Sequence, residues 1–243
     1  MGIALKKTVS VPVGSIIPKK MYQLDFEEFL IANDFGEDAI VHLRKSFEQK
    51  QPLSPEVHDK VLNLFKRYLL VGGMPDAVNE YLNSHNIVKV REVQEAIREL
   101  YGVDASRYEE DAAKKLYIRR IYDMIPSQME NKKKRIVAKD ILDRKGDRFS
   151  NYVEEFEYLI NSGITIPSHA ISNPKYPLAE SQQKNLLKLY MNDVGMLTSQ
   201  LYHYNIQPIL NDIASINLGS VYESAVAQEL KAHYEKLFYY DNK

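Results

Sequence analysis

A mainly α-helical fold is predicted by three observations: apolar residues recur at three- and four-residue spacing over most of the chain, helix-start and helix-stop residues punctuate these stretches, and strand-like alternation is confined to short segments. The order of elements predicts a helical region, then a helix, turn, helix and hairpin segment, then the start of a small α/β element. Each element follows from its residues.

Residues 3–17 read as a strand, because Thr8-Val-Ser-Val-Pro-Val13 alternates, with Pro12 confining it to an edge or a strand end. Leu24, Phe26, Phe29 and Leu30 supply an apolar helical face, Asp25 is the expected N-cap, and Glu27 and Glu28 suit the first turn through the helix dipole. After the linker-like Gln51-Pro-Leu-Ser-Pro55, Ser54 caps a helix that begins at Pro55 and carries Val57, Val61, Phe65 and Tyr68. Gly72 and Gly73 stop it, and Pro75 starts the next helix, with Ala77, Val78 and Tyr81 on its apolar face. Helix, double glycine and proline make a tight elbow. Val90, Val93, Ile97, Leu100 and Tyr101 mark another helix, with a stop near Gly102. A third runs over about 106–125, with Ala112, Leu116, Ile121 and Ile125 inward, and ends at Pro126.

Beyond Asn131 the pattern changes. Ile136, Ile141 and Leu142 predict a short helix broken at Gly146, and Tyr152, Phe156, Leu159 and Ile160 a second one stopped at Gly163. Ile164-Thr-Ile166 and His169-Ala-Ile171 then read as a small hairpin. Helix, turn, helix and hairpin is the outline of a winged-helix-like domain, expected over 129–180 after a helical region over 21–128. In the remaining 181–243, Leu186–Met191 reads as a buried strand and Asp193 as the cap of a helix through Leu197 and Leu201. A later helix, about Val221 to Leu237, is expected to turn Tyr222, Val226, Leu230, His233 and Leu237 to one face. Ser220 and Glu223 form its capping box, and Phe238-Tyr-Tyr240 opens a strand.

Composition narrows the function classes. Lys and Arg total 32 against 33 Asp and Glu, so no global field draws the protein to a polyanion and any such contact is local. There is no cysteine, which removes disulfides, thiol nucleophiles and thiolate metal sites. No window approaches a membrane span and the first residues lack a secretory core, so no membrane partner is expected and the expected location is the cytoplasm. The six histidines form no H-E-x-x-H, so no metal site is expected. Seventeen tyrosines with no tryptophan suit wet-rimmed cores and interfaces.

Four stretches, Leu24-Asp-Phe-Glu-Glu-Phe29, Tyr68-Leu-Leu-Val-Gly-Gly-Met-Pro75, Ile125-Pro-Ser-Gln128 and Lys188-Leu-Tyr-Met-Asn-Asp-Val-Gly195, together resemble the predicted AAA-like P-loop ATPases of bacteria and archaea, in the domain of unknown function that follows the ATPase core. The resemblance implies that residues 1–20 are a remnant of the last strand of that core. It also implies that 181–243 opens a truncated, restriction-endonuclease-like element. ATP and Mg²⁺ are implied only for the missing core. The chain departs from the family in having no G-x-x-x-x-G-K-[ST] phosphate loop, in carrying Ser15 where relatives have a basic residue, and in stopping before the acidic strand.

No catalytic residue and no cofactor is therefore expected in this chain, which is read as not an enzyme by itself. Glu223 is a weak metal candidate, a single carboxylate where a nuclease needs an acidic set. Lys132, Lys133, Lys134, Arg135 and Lys139 head a basic cluster that suits nucleic-acid phosphates. The helix that would enter a groove carries only Glu154, Glu155 and Glu157 as charges, which opposes groove reading. Gly72, Gly73 and Pro75 are read as a hinge. The expected role is partner binding and coupling to the ATPase core, with nucleic-acid binding through the basic cluster as the alternative and a nuclease-like remnant as the second.

Overall fold

The computed structural model describes residues 19–107, 111–131, 134–143, 145–211, 218–234 and 236–240. The strand expected over 3–17 and the core remnant expected over 1–20 lie outside them, apart from Lys19 and Lys20. The fold is mainly α-helical with a small sheet and an α/β element toward the C-terminus, as the periodicity predicts.

In chain order the helices are α1 (Phe26–Ala32), α2 (Glu37–Glu48), α3 (Pro55–Val71), α4 (Pro75–Ser84), α5 (Ile87–Arg107), α6 (Ala112–Glu130) and α7 (Lys139–Leu142). A 3-10 turn, Phe149–Tyr152, leads into α8 (Val153–Asn161), then β1 (Thr165–Ile171) and β2 (Gln182–Met191). The last elements are α9 (Val194–Tyr202), α10 (Gln207–Leu210), α11 (Gly219–His233) and β3 (Leu237–Tyr240).

Two compact units form. A helical unit comprises Gln23–Ile97 and Asp193–Glu229, and a sheet unit is built from Arg98–Asn192 and the chain from Leu230 onward. The sequence boundaries at 128 and 180 therefore fall inside the sheet unit. The chain returns to its first half, because α9 packs on α3, and periodicity along the chain carries no record of that return.

In the helical unit the caps form where the residues call for them. Asp25 accepts from the Glu28 N–H at 2.8 Å while Glu28 reaches back to the Asp25 N–H at 3.0 Å, a complete capping box. Ser54 accepts from the Val57 N–H, and Pro55 and Pro75 each open a helix where a missing N–H costs nothing. The core gathers Phe29, Tyr68, Leu69, Leu70, Val71, Val78, Tyr81, Val90 and Val221. Helix α2 has no counterpart in the sequence reading, since its 12 residues bury only Ile40 and Ser46.

In the sheet unit α6 packs on α8 and on β2, and Ile118, Ile121, Ile125 and Met129 of α6 and Phe156 and Leu159 of α8 are buried. The strand order is β2-β1-β3, with β1 antiparallel to β2 and parallel to β3. The hairpin expected within 164–171 is a single strand, β1, whose partner is β2 across the 172–181 connection. Pro167 is tolerated in the strand. The Asn192 N–H bonds to the Ile164 carbonyl, so even-numbered residues of β1 bond to β2 and position 167 faces away. Pairing with β3 starts only at Ser168.

Several helix boundaries differ from the sequence reading: α6 starts at Ala112, not near 106, and α11 ends at His233, with Leu237 opening β3. Helix α5 continues through Gly102, which is exposed and has open space around it. Helix α6 continues through Pro126 to Glu130, because Ile125, Pro126, Gln128 and Met129 are all buried and that packing outweighs the lost backbone bond. Helix α11 starts at Gly219, so Ser220 is inside it, buried, and not its cap. Its faces are also exchanged: Tyr222, Val226 and Leu230 are exposed at 40%, 56% and 42%, while Val221, Ser224, Ala225 and Gln228 are buried.

Two glycine substitutions separate packing from propensity. A Cβ at Gly73 would lie 1.9 Å from the Leu24 carbonyl oxygen, so Gly73→Ala is expected to cost about 3 kcal/mol or more in urea unfolding. At Gly102 a Cβ meets nothing within 4 Å, and Gly102→Ala is expected to stabilise by about 0.5–1 kcal/mol.

Candidate functional site

A buried polar cluster of the helical unit surrounds the elbow. Helix α3 ends inside the core, where its last carbonyls need donors that water cannot supply. The Tyr68 carbonyl takes the Gly72 N–H at 2.7 Å, and the Leu69 carbonyl takes the Thr198 hydroxyl at 2.8 Å. The Leu70 carbonyl accepts from Arg91 Nη1 at 3.1 Å and Gln94 Nε2 at 3.0 Å, and the same amide nitrogen reaches the Val71 carbonyl at 3.0 Å. Arg91 also donates to Gln94 Oε1, to the Gly195 carbonyl and, through Nε, to the His203 carbonyl at 3.0 Å. A guanidinium at the negative end of a helix is favourable in itself.

Asp193 sits opposite this arrangement as the N-cap of α9. It accepts from the Met196 N–H at 3.1 Å and from the Gly73 N–H at 2.6 Å. The Leu24 N–H donates to the Gly73 carbonyl at 2.8 Å. Gln228 accepts from the Val194 N–H and donates to the Tyr68 hydroxyl, which is 2.8 Å from the Leu24 carbonyl and 3.1 Å from Glu229 Oε1. One hydroxyl proton serves both acceptors.

Burial sets the electrostatics. It pushes the Asp193 carboxyl up to about 6, against the pull of the backbone donors of Gly73, Met196 and Gly195. Burial lowers Arg91 to about 10, partly offset by the charge of Asp193, so the guanidinium stays protonated at neutral pH. Tyr68 is pushed far up by burial and then by the charge of Glu229, and acts only as a neutral hydroxyl.

The hinge reading of Gly72, Gly73 and Pro75 does not fit this geometry. Gly72 and Gly73 are buried, and Gly72 has φ +74 with the space of its absent Cβ taken by Asp193. Reorientation here would break the Gly73–Asp193 and Leu24–Gly73 bonds inside the core, so the glycines serve close approach and the elbow is a fixed joint. Sequence reading missed Arg91, Gln94 and Thr198. Arg91 looks like a solvent residue between Val90 and Glu92, and only its 2% exposure reveals its role.

Of the basic cluster, Lys134, Arg135 and Lys139 are among the described residues. Lys132 and Lys133 lie outside the described residues, Lys134 and Arg135 are half-buried, and Lys139 is exposed at the start of α7. Arg135 lines an open cavity of about 780 Å³ together with Arg148, Phe149 and Asn185. On α8, Glu155 is buried, Glu154 pairs with Lys114, and Glu154 and Glu157 are exposed, so the face expected to oppose groove reading is acidic in the fold. A second groove of about 600 Å³ between α5, α6 and α8 is lined by Val103, Leu116, Leu159 and Ile164, with Arg98 and Arg119 both paired to Asp123. Glu223 is half-buried on α11, and among the described residues no group of three carboxylate or imidazole ligands includes it. His203 packs its ring 4.0 Å from Tyr204 just beyond α9.

Fold and site together define a mainly α-helical protein with a small sheet, organised in one half around a buried helix-end joint. The chain matches the family described as Domain of unknown function (DUF8612) over residues 62–204, more than half of its length, and belongs to it. No curated protein and no solved structure matches. Among the described residues no helix is long and apolar enough to cross a membrane.

Asp193 makes stability depend on pH. Its folded value of about 6 lies above the ordinary 3.8, so its contribution is fully present below about pH 4 and is lost as pH rises through about 6. The unfolding free energy of the wild type relative to Asp193→Asn is expected to fall by roughly 3 kcal/mol between about pH 4 and pH 7 and to be level above. A difference that is flat across that window in urea titrations would show that the carboxylate stays charged in the core.

Proposed function

We propose that this chain is a non-catalytic accessory portion of an AAA-like P-loop ATPase, a winged-helix-like scaffold in the cytoplasm that binds a protein partner and couples that binding to the ATPase core. Helix, turn, helix and antiparallel strand pair follow one another in α7, α8, β1 and β2, and the Ile136 N–H bonds to the Leu187 carbonyl, adding a short third pairing to the wing. That order supports the winged-helix-like reading. The buried elbow supports coupling by a rigid arm in place of a hinge.

The observation that carries the partner-binding reading is the outward apolar face of α11. Tyr222 and Val226 are exposed at helical spacing, Tyr222 stacks on Phe65 of α3 at 6.3 Å, and Leu62 on α3 is exposed at 37%. The opposite face of the helix already serves the core, so burial of these residues requires another surface, and the expected one is the AAA-like ATPase core.

Two measurements test the reading. A separately produced AAA-like ATPase core from the same genome is expected to form a 1:1 complex with this chain in calorimetry. Tyr222→Asp with Val226→Asp is expected to weaken it tenfold or more while leaving the thermal midpoint within about 4 °C. Absence of a complex at tens of micromolar would overturn the reading. The isolated chain is also expected to show no ATP or DNA turnover with Mg²⁺, and reproducible turnover lost in Glu223→Gln would make it an enzyme.

A further inference from the structure

A cavity of about 580 Å³ opens in the helical unit where the end of α4 turns into α5. Arg67 of α3 and Tyr81 of α4 are among its walls. Tyr81 is buried, at 4% exposure, and its hydroxyl lies 3.1 Å from Arg67 Nη1. A guanidinium can only donate, so the hydroxyl oxygen is the acceptor of that bond. The hydroxyl proton has no acceptor among the described residues, which leaves a strong donor for a bound oxygen.

Arg67 is in the same condition. Its hydrogen bond goes to Tyr81, it pairs with no carboxylate among the described residues, and no Asp or Glu is among those that line the cavity. Asn86 adds a further donor, because its Oδ1 already accepts from the Val88 N–H at 2.9 Å and its Nδ2 has no acceptor among the described residues. Ser84, by contrast, is satisfied within the turn: it donates to the Glu80 carbonyl at 2.8 Å and accepts from the Asn86 N–H at 3.2 Å. The His85 ring packs edge-on against Tyr81, with centroids 5.5 Å apart, and closes one side. The remaining wall is apolar, with Ile87, Ile206 and Leu210. One permanent charge and neutral donors beside an apolar wall match a single negative charge shared by two oxygens on a hydrocarbon body. A phosphate monoester, with nearly two charges, calls for a second permanent cation, and no other Lys or Arg is among the described residues that line the cavity. The volume lies within the range of small-ligand sites.

We propose that this cavity binds a small organic acid, its carboxylate held by Arg67 and the Tyr81 hydroxyl and its hydrocarbon part against Ile87, Ile206 and Leu210. The site is independent of the accessory-module reading, which rests on the outward face of α11, since no α11 residue is among the described residues that line the cavity.

The test is titration of the full chain with phenylacetate and with hexanoate, followed through the methyl NMR signals of Ile87, Ile206 and Leu210. 2-Phenylethanol serves as the neutral counterpart and inorganic phosphate as a second anion. At least one of the two acids is expected to shift all three methyl signals along one saturable curve, and the alcohol is expected to bind about tenfold more weakly because it lacks the charge. Arg67 is exposed, so Arg67→Gln is expected to leave the circular dichroism melt unchanged and to weaken the acid about tenfold or more. Tyr81→Phe keeps the ring in the core and removes only the hydroxyl, so it is expected to keep the fold and weaken the acid about fivefold. No saturable shift with either acid by about 10 mM would overturn the proposal. Equal binding of acid and alcohol, stronger shifts with phosphate than with either acid, or unchanged affinity in folded Arg67→Gln would overturn it as well.

Discussion

Helix α3 ends where no water reaches, and that single constraint organises the helical unit. A buried backbone carbonyl without a donor costs on the order of 1–3 kcal/mol, and α3 exposes four of them to the core. The turn into α4 supplies only the Gly72 N–H. The rest must come from elsewhere in the chain, so Arg91, Gln94 and Thr198 are drawn inward from α5 and α9 and fixed there. An arginine in such a place is stable because it meets carbonyls on several sides and the carboxylate of Asp193 lies within electrostatic reach. Removing any one donor leaves the others in a dry site with an unmet acceptor.

The same constraint explains the double glycine. Asp193 must cap α9 and also hold the Gly73 N–H, which brings its carboxylate into the space a side chain at position 72 would fill. Gly73 meanwhile bonds to Leu24 through its carbonyl, with the Leu24 backbone where a second side chain would stand. Two absent Cβ atoms thus allow three chain segments to meet. Left-handed geometry is needed at Gly72 alone, so steric closeness, more than conformational freedom, selects the pair.

What the sequence made legible was local chemistry. Capping by Asp25, Ser54 and Asp193, the proline starts at 55 and 75, and the strands ending at Met191 and beginning near Phe238 all depend on residues a few positions apart. The failures share a cause. The face of α11 was assigned by apolarity, yet its buried side is Ser224, Ala225 and Gln228, because close approach to the core favours small residues and Gln228 is needed by Val194 and Tyr68. Pro126 and Gly102 were read as stops, but burial around the proline and the length of α5 override local preference. The hinge reading failed similarly, since flexibility was inferred from residue type without the segments packed against it. The site residues Arg91, Gln94 and Thr198 left no sequence signal, because a buried cap and a solvated side chain look alike in one dimension.

These failures also locate the surfaces open to binding. In the helical unit the polar groups that resemble a reactive centre, an aspartate of raised pKa beside an arginine and two amides, are all bonded to helix ends or to one another. A perturbed carboxyl in a cleft is a functional candidate, but one whose acceptor oxygens are filled by backbone N–H groups has no position for a substrate. Contact with a partner must then be sought at the surface of the unit. On α11 that surface is apolar, with Tyr222 and Val226 exposed. An apolar stripe selects a partner by the area removed from water, so a charged side chain placed on it weakens binding without disturbing the buried joint on the other side of the helix.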